Sequence, residues 1–297
     1  MTATQASLAY WERVRESGFD VPGDRSLPDL TVELVDLLGV PDAHVRTEVA
    51  CEVLSTWVRR GVYDDLLTGL GDGMCTGLLV GRGERGTDTV LRRSYSARAL
   101  TAVVERDNAA WLLHPDTVLR WGDRGLAWLL EERDLRGYVD GLGWADAVGH
   151  GADLLAALAM SRHIDEGALR VLLDALGDRV LTPTTYPLVN GEDDRLAYGA
   201  MAILHRNTLG MDTLGPWLER LGQGWQAPGR TPVPAQALNT RAFLRALHLH
   251  LRLGIRGMPD KGDATHFFAD VELRDDLLRV LERVLRRGHP FFRQIGR

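Results

Sequence analysis

Asp146, His150 and Asp153 lie at i, i+4 and i+7 in the segment Gly143-Trp144-Ala145-Asp146-Ala147-Val148-Gly149-His150-Gly151-Ala152-Asp153. At about 100° per helical residue this spacing puts all three side chains on one narrow stripe. Carboxylate, imidazole and carboxylate could ligate a metal ion, or Asp146 or Asp153 could orient His150 as a general base. The apolar residues Ala147, Leu154, Leu155 and Leu158 fall to one side, and Gly149, Gly151, Ala152 and Ala156 add little bulk around the stripe. The same spacing also serves a purely structural end, as a solvated face with i,i+4 pairing or a buried histidine satisfied by one carboxylate. That is the commoner use, because one helix seam rarely supplies three metal ligands and a fourth must come from elsewhere.

A charged run, Glu131-Glu132-Arg133-Asp134-Leu135-Arg136-Gly137-Tyr138, precedes the stripe. Glu132 or Asp134 could complete the seam. Arg136 is expected to pair with Asp134 or a neighbour and to bond the last carbonyls of the helix before it. Arg92, Arg93, Ser94 and Ser96 read either as an anion-binding patch or as a charged flank beside a buried Tyr95. Trp111, Trp121, Trp128 and Trp144 would anchor a ligand if gathered on one surface, although tryptophan at helical spacing is more often core. The candidates are thus His150, Asp146, Asp153 and Glu132 for acid–base work, and Trp144, Tyr138, Asp134, Arg136 and Arg93 for ligand contact. The sequence leaves the cofactor unknown: a metal could be held here, and no definite ligand set follows from the sequence.

Other chemistry is excluded by what is missing. There is no Gly-rich dinucleotide or phosphate loop, no HExxH, no GxSxG and no paired CxxC. His248 and His250 are two apart, on different helical faces, and are not a ligand pair. Cys51 and Cys75 sit in apolar helical patterns and read as small buried hydrophobes. Lys261 is the sole lysine, so a Schiff-base mechanism has a single candidate, in a loop. A net charge of −6 argues against a nucleic-acid partner. No run of about 18 apolar residues suggests a membrane span. The polar start of the chain lacks a signal-peptide pattern, so a cytoplasmic protein is expected.

Nearly every segment carries the helical period, and 45% hydrophobic with 26% charged residues suits a folded globular chain. Asp29–Leu38 is one such segment, and Asp42 caps the next, through Arg60. Tyr63–Val80 is helical but crowded with glycines, which implies close packing or a break. Helices follow from Asp88, from Pro115 to about Arg133, from Trp144 to about Ser161, and from Asp165. Further helices span Glu192–Leu209, start at Asp212, and span Ala235–Leu253 and Val271–Arg287. The Pro/Gly-rich Gln223–Pro234 reads as a mobile surface loop. No stretch alternates for long enough to make a strand.

Pairs of these helices start near Asp42, Asp88, Trp144, Glu192 and Ala235, roughly 45 residues apart with one longer interval, as in helical-pair repeats. The expected fold is an all-α, HEAT/armadillo-like stack of helix pairs in a single domain. It has an N-terminal arm at 1–28, the repeat domain at 29–287 and a tail at 288–297.

At Gly86-Thr87-Asp88-Thr89-Val90-Leu91-Arg92-Arg93-Ser94-Tyr95-Ser96, at Glu132-Arg133-Asp134-Leu135-Arg136-Gly137-Tyr138, and from Gly143-Trp144 through His150-Gly151-Ala152-Asp153-Leu154-Leu155, the chain resembles a bacterial family, domain of unknown function 2785. A looser likeness continues at Asp194-Arg195-Leu196-Ala197 and Asn239-Thr240-Arg241-Ala242-Phe243-Leu244. The resemblance covers most of the chain, from the second helical pair to the fifth. It implies an all-helical protein and brings no activity with it. Members usually carry histidine where this chain has Asp146, so any role shared by paired histidines is in doubt here.

Two functions fit these features. One is a helical-repeat binding protein with a polar pocket for a small molecule or peptide on the Asp146/His150/Asp153 face. The other is an acid–base or metal-dependent, hydrolase-like enzyme using His150 and its carboxylate neighbours.

Overall fold

The computed structural model of the protein describes residues 3–225, 232–255, 267 and 270–288. It is helical almost throughout, with a single two-stranded hairpin among the described residues. The chain divides into two compact units, Met1–Leu154 and Leu155–Arg297. No helix of the described residues is long and apolar enough to cross a membrane.

The first unit contains α1 (Ala3–Glu16), α2 (Leu27–Leu37), a π-helix (His44–Cys51) running into α3 (Glu52–Arg59), α4 (Leu67–Gly77), α5 (Thr89–Ala110) and α6 (Pro115–Glu131). After these come strands β1 (Tyr138–Val139) and β2 (Gly143–Trp144) and the start of α7 (Ala147–Ala159). Local sequence sets the helix starts. Ser26 Oγ accepts the Asp29 amide at the head of α2, and Asp42 Oδ1 accepts the amides of His44 and Val45 at 2.9 and 3.1 Å. Pro115 occupies the first turn of α6, where its missing N–H is harmless. Asp88 precedes α5 as expected, but its side chain makes no capping bond.

The glycine-rich stretch before α5 is helical only over α4, led in by a 3₁₀ turn at Asp64–Leu66. Two of its glycines, Gly71 and Gly77, serve close packing, whereas Gly69 and Gly73 face open space. A Cβ on Gly71 would stand 2.2 Å from the Trp121 ring, and one on Gly77 would stand 2.1 Å from Ser96 Oγ.

Trp11, Trp57 and Tyr63 form the aromatic centre of this unit, with ring centroids 6.0 and 6.4 Å apart in turn. All three are buried, and Trp57 Nε1 donates to the Phe19 carbonyl at 2.8 Å. On the surface His44 bridges α1 and the π-helix, bonding Glu12 through Nε2 and Glu48 through Nδ1. The hydrogen bond to Glu12 is the chief reason that its pKa is raised, and Glu48 adds to it. A raised histidine pKa means stability that is present below the usual value of about 6.5 and is lost as pH climbs through the raised one. His44→Gln should therefore destabilise the protein on the mildly acidic side, above the range where Glu12 protonates, and change nothing in alkali. The effect is small because His44 is half-exposed. Unfolding midpoints of both proteins across that range test it, and a difference that grows with pH would contradict it.

The second unit contains α8 (Glu166–Leu181), α9 (Glu192–Leu204), α10 (Met211–Gly224), α11 (Ala235–Leu253) and α12 (Arg274–Gly288). Asp165 caps α8 by accepting the Ala168 amide at 2.8 Å. Within this unit α9 packs on α11, α8 on α10, and α10 on α12. Trp217 is buried there, donating to the Leu173 carbonyl at 2.9 Å. Arg206 gathers the carbonyls of Ala159, Ser161 and Ile164 behind α7.

Three boundaries in this unit differ from the periodicity, and one of them is the start of α12, at Arg274 and not Val271. The helix from Glu192 stops at Leu204, because Asn207 turns left-handed at φ 50°. Asp212 lies inside the first turn of α10, with Gly210 in the capping position. Residues 226–231 of the proposed mobile loop, Lys261, Phe291 and Phe292 lie outside the described residues.

Candidate functional site

The charged run after α6 folds back on α5. Glu132 leaves the helix in extended conformation, and its buried carboxylate accepts from Arg93 Nε at 2.6 Å and Nη2 at 3.0 Å. It also takes Trp128 Nε1 at 3.0 Å and the amides of Arg133 and Asp134 at 2.9 Å each. The remaining Arg93 nitrogen donates to the carbonyls of Val80 and Gly81 and to Thr89 Oγ1. Both partners of this forked pair have side chains no more than 2% exposed. Every side-chain nitrogen of Arg93 therefore has an acceptor inside the protein.

Asp134 pairs with Arg136, as the sequence suggests, through Nε at 2.8 Å and Nη2 at 2.7 Å, and accepts the Gly86 amide at 2.8 Å. Burial pushes the Asp134 carboxyl up, but Arg136 and the Gly86 amide outweigh it and hold the pKa below the usual range. Arg136 also reaches the Thr87 carbonyl, so the run is stitched to the loop ahead of α5.

Downstream, the segment that reads as the first helical turn from Trp144 is instead a hairpin. Tyr138 pairs with Trp144 and Val139 with Gly143. Gly143 and Asp146 have φ of 73° and 45°, which a continuing right-handed helix excludes. α7 starts one residue later, and Asp146 acts as its cap, accepting the Gly149 amide at 3.2 Å. Tyr138 and Trp144 sit edge to face at 5.4 Å and are exposed. Beneath them the fully buried Arg46 donates to the carbonyls of Leu142, Trp144, Val40 and Pro41. Its guanidinium also lies 4.9 Å over the Tyr95 ring.

The Asp146/His150/Asp153 stripe faces inward, and all three residues are buried, so it is not a solvated face. His150 Nδ1 is 2.7 Å from Ser94 Oγ on α5, its Nε2 is 3.8 Å from Asp146 Oδ2, and its ring meets Tyr95 edge-on at 5.2 Å. Gly151 lets α7 lie close to α6, since a Cβ there would stand 2.5 Å from Leu129. Serine, imidazole and carboxylate make the residue set of an acyl-transfer triad. The carboxylate, however, lies beyond hydrogen-bond distance, and Ser94 has no exposed surface. No three His, Cys, Asp or Glu side chains among the described residues gather as a metal site requires.

The contacts of His150 predict a structural loss. His150→Ala should lower stability by about 1–3 kcal/mol, because Ser94 Oγ would lose its imidazole partner in a buried setting. Urea unfolding reads this directly, and an unchanged midpoint would show that the histidine does not support the fold.

One cavity opens beside Arg93 and Glu132, with a volume of about 330 Å³, between the end of α4, α5 and α6. Cys75, Leu79, Arg82, Arg124 and Trp128 line the rest of it. Arg82 pairs with Glu131 at its edge. Burial pushes the Cys75 thiol up to about 11, only partly offset by the neighbouring Arg124. Arg124 itself has no carboxylate partner within ion-pair distance among the described residues. Sequence reasoning finds Arg93 and Glu132 but not Arg124 or Cys75. The available signal is the run Arg124, Ala127, Trp128 and Glu131, which occupies one face of α6.

Two other groupings read from the sequence do not form. Arg93, Ser94 and Ser96 are buried, so no exposed anion patch exists on α5. Trp121 and Trp128 are core, whereas Trp111 and Trp144 are exposed, so the four tryptophans do not share one surface.

The stitched segments, from the loop before α5 to the stripe on α7, are those that carry the family likeness. A family model described as "Protein of unknown function (DUF2785)" matches residues 78–249, more than half of the chain. The chain belongs to this family. Comparisons with curated proteins and with solved structures find no match.

Proposed function

We propose that the protein is a helical-repeat binding protein that holds a small molecule in the cavity between α4 and α6. The observation that carries this reading is the cavity itself. At about 330 Å³ it falls at the lower end of ligand-pocket sizes, and the saturated Arg93–Glu132 pair fixes its wall. A wall braced by an ion pair that is already formed does not need to reorganise there when a ligand arrives. On this reading the Asp146/His150/Asp153 stripe is the support behind the pocket. Ser94, which holds His150, is the neighbour of Arg93 on α5.

The packing of α9 on α11 and of α8 on α10, each helix on the next but one, supports the stacking of successive helix pairs. The acid–base reading draws on the Ser94–His150 bond, and the burial of both residues speaks for a structural role there instead.

Ala127 lines the cavity and faces outward, so it can be enlarged without disturbing the core. Ala127→Trp should fill the space, leave the melting temperature nearly unchanged, and abolish thermal shifts produced by a panel of small organic acids, alcohols and amines. Equal shifts in both proteins would overturn the proposal.

A further inference from the structure

The charges around the cavity do not balance. Three arginines (82, 93 and 124) meet two glutamates (131 and 132), leaving one positive charge over. Arg93 is committed to Glu132, and Arg82 is paired with Glu131. The surplus therefore sits on Arg124, an exposed guanidinium with no carboxylate within ion-pair distance among the described residues. Around it the walls are apolar. Leu78 and Leu79 contribute from the turn just after α4 and Trp128 from α6, and the indole N–H of Trp128 is already taken by Glu132.

We propose that the cavity is built for an organic anion, a small molecule whose carboxylate is held by Arg124 and whose apolar body lies against Trp128 and Leu79. This assignment rests on the binding reading given above. A guanidinium offers a carboxylate two parallel hydrogen bonds, which fixes orientation as well as sign. The neighbouring Cys75 thiol remains protonated at neutral pH and does not supply the missing negative charge. A cationic ligand would meet the uncompensated Arg124, while an uncharged one would leave it unmatched. Size bounds the ligand too. With a water's share of volume at about 30 Å³, the cavity holds on the order of ten non-hydrogen atoms.

Three compounds of one skeleton and that size separate charge from shape: 3-phenylpropionate, 3-phenylpropan-1-ol and 3-phenylpropylamine. Their affinities are measured by titration calorimetry on the full chain. The acid should bind at least about tenfold more tightly than the alcohol, and the amine more weakly than either. Arg124→Gln should bring the acid down to the alcohol's affinity and leave the alcohol unchanged, while Arg124→Lys should keep part of the preference. Residue 124 is exposed, and matching melting temperatures establish that the variants fold. An acid that binds no better than the alcohol, or one indifferent to Arg124→Gln, overturns the anion assignment. If Ala127→Trp still abolishes binding in that case, the cavity reading survives it. If none of the three compounds binds the native chain, both readings fall.

Discussion

Glu132→Ala should lower the folding stability by about 3–5 kcal/mol, the largest loss we expect from a single surface-distant carboxylate in this chain. The reason is what it leaves behind. Arg93 would keep its charge in a site about 1% exposed, with two of its donors facing no acceptor. Trp128 Nε1 and the amides of Arg133 and Asp134 would also lose their acceptor. Glu132→Gln separates charge from hydrogen bonding. It keeps an oxygen for those donors while removing the negative charge, so it should fall between the native protein and the alanine variant. Removing both partners, as in Arg93→Met with Glu132→Leu, should recover only part of the loss, because the indole and the two amides remain unanswered. Urea unfolding with linear extrapolation measures all four proteins. A loss below about 1 kcal/mol for Glu132→Ala would mean that the pair behaves as a surface ion pair does.

Arg46→Leu should cost about 3 kcal/mol or more, from the sum of several buried acceptors losing their donor. Arg46 is a clamp between the π-helix and the hairpin, with one nitrogen on Val40 and Pro41 and the other on Leu142 and Trp144. The loss should be uneven. Hydrogen exchange at the Ala145 and Asp146 amides, which bond the carbonyls of Gly137 and Arg136, should accelerate before the amides of α5 are affected. Arg46→Lys should rescue little, because an ammonium is a point charge without the planar fork that reaches both pairs of carbonyls. Uniform acceleration across the whole first unit would show that Arg46 contributes to global stability and not to this clamp.

The helices were legible because their signals are local. The apolar stripe, Pro115 in a first turn, and Asp42 and Asp165 as caps all act within a few residues. The hairpin was not legible. Two-residue strands are too short for an alternating pattern, and the apolar spacing downstream extends smoothly backward through Trp144 until Gly143 and Asp146 turn left-handed. Asp146 and His150 were recognisable as polar residues on one stripe, but periodicity fixes a direction and not what lies there. Their partner Ser94 stands 56 residues away from His150. The same distance problem hides the pairing of Arg93 with Glu132, 39 residues on. Arg124 carries no signal in the sequence, because an exposed arginine on a helix is ordinary until the acids around it are engaged elsewhere.

Arg46 also bears on how the chain assembles as it is made. Its carbonyl partner Leu142 follows it by 96 residues. At roughly 5–20 residues per second, synthesis leaves the arginine without that partner for about 5–20 s. During that time the guanidinium belongs in water, so the π-helix can form but its inner face stays hydrated. Only when β2 emerges can the arginine be drawn out of solvent, and the apolar neighbours of Tyr95 close with it. The burial of Arg46 is therefore completed only by residues about a hundred positions further along the chain.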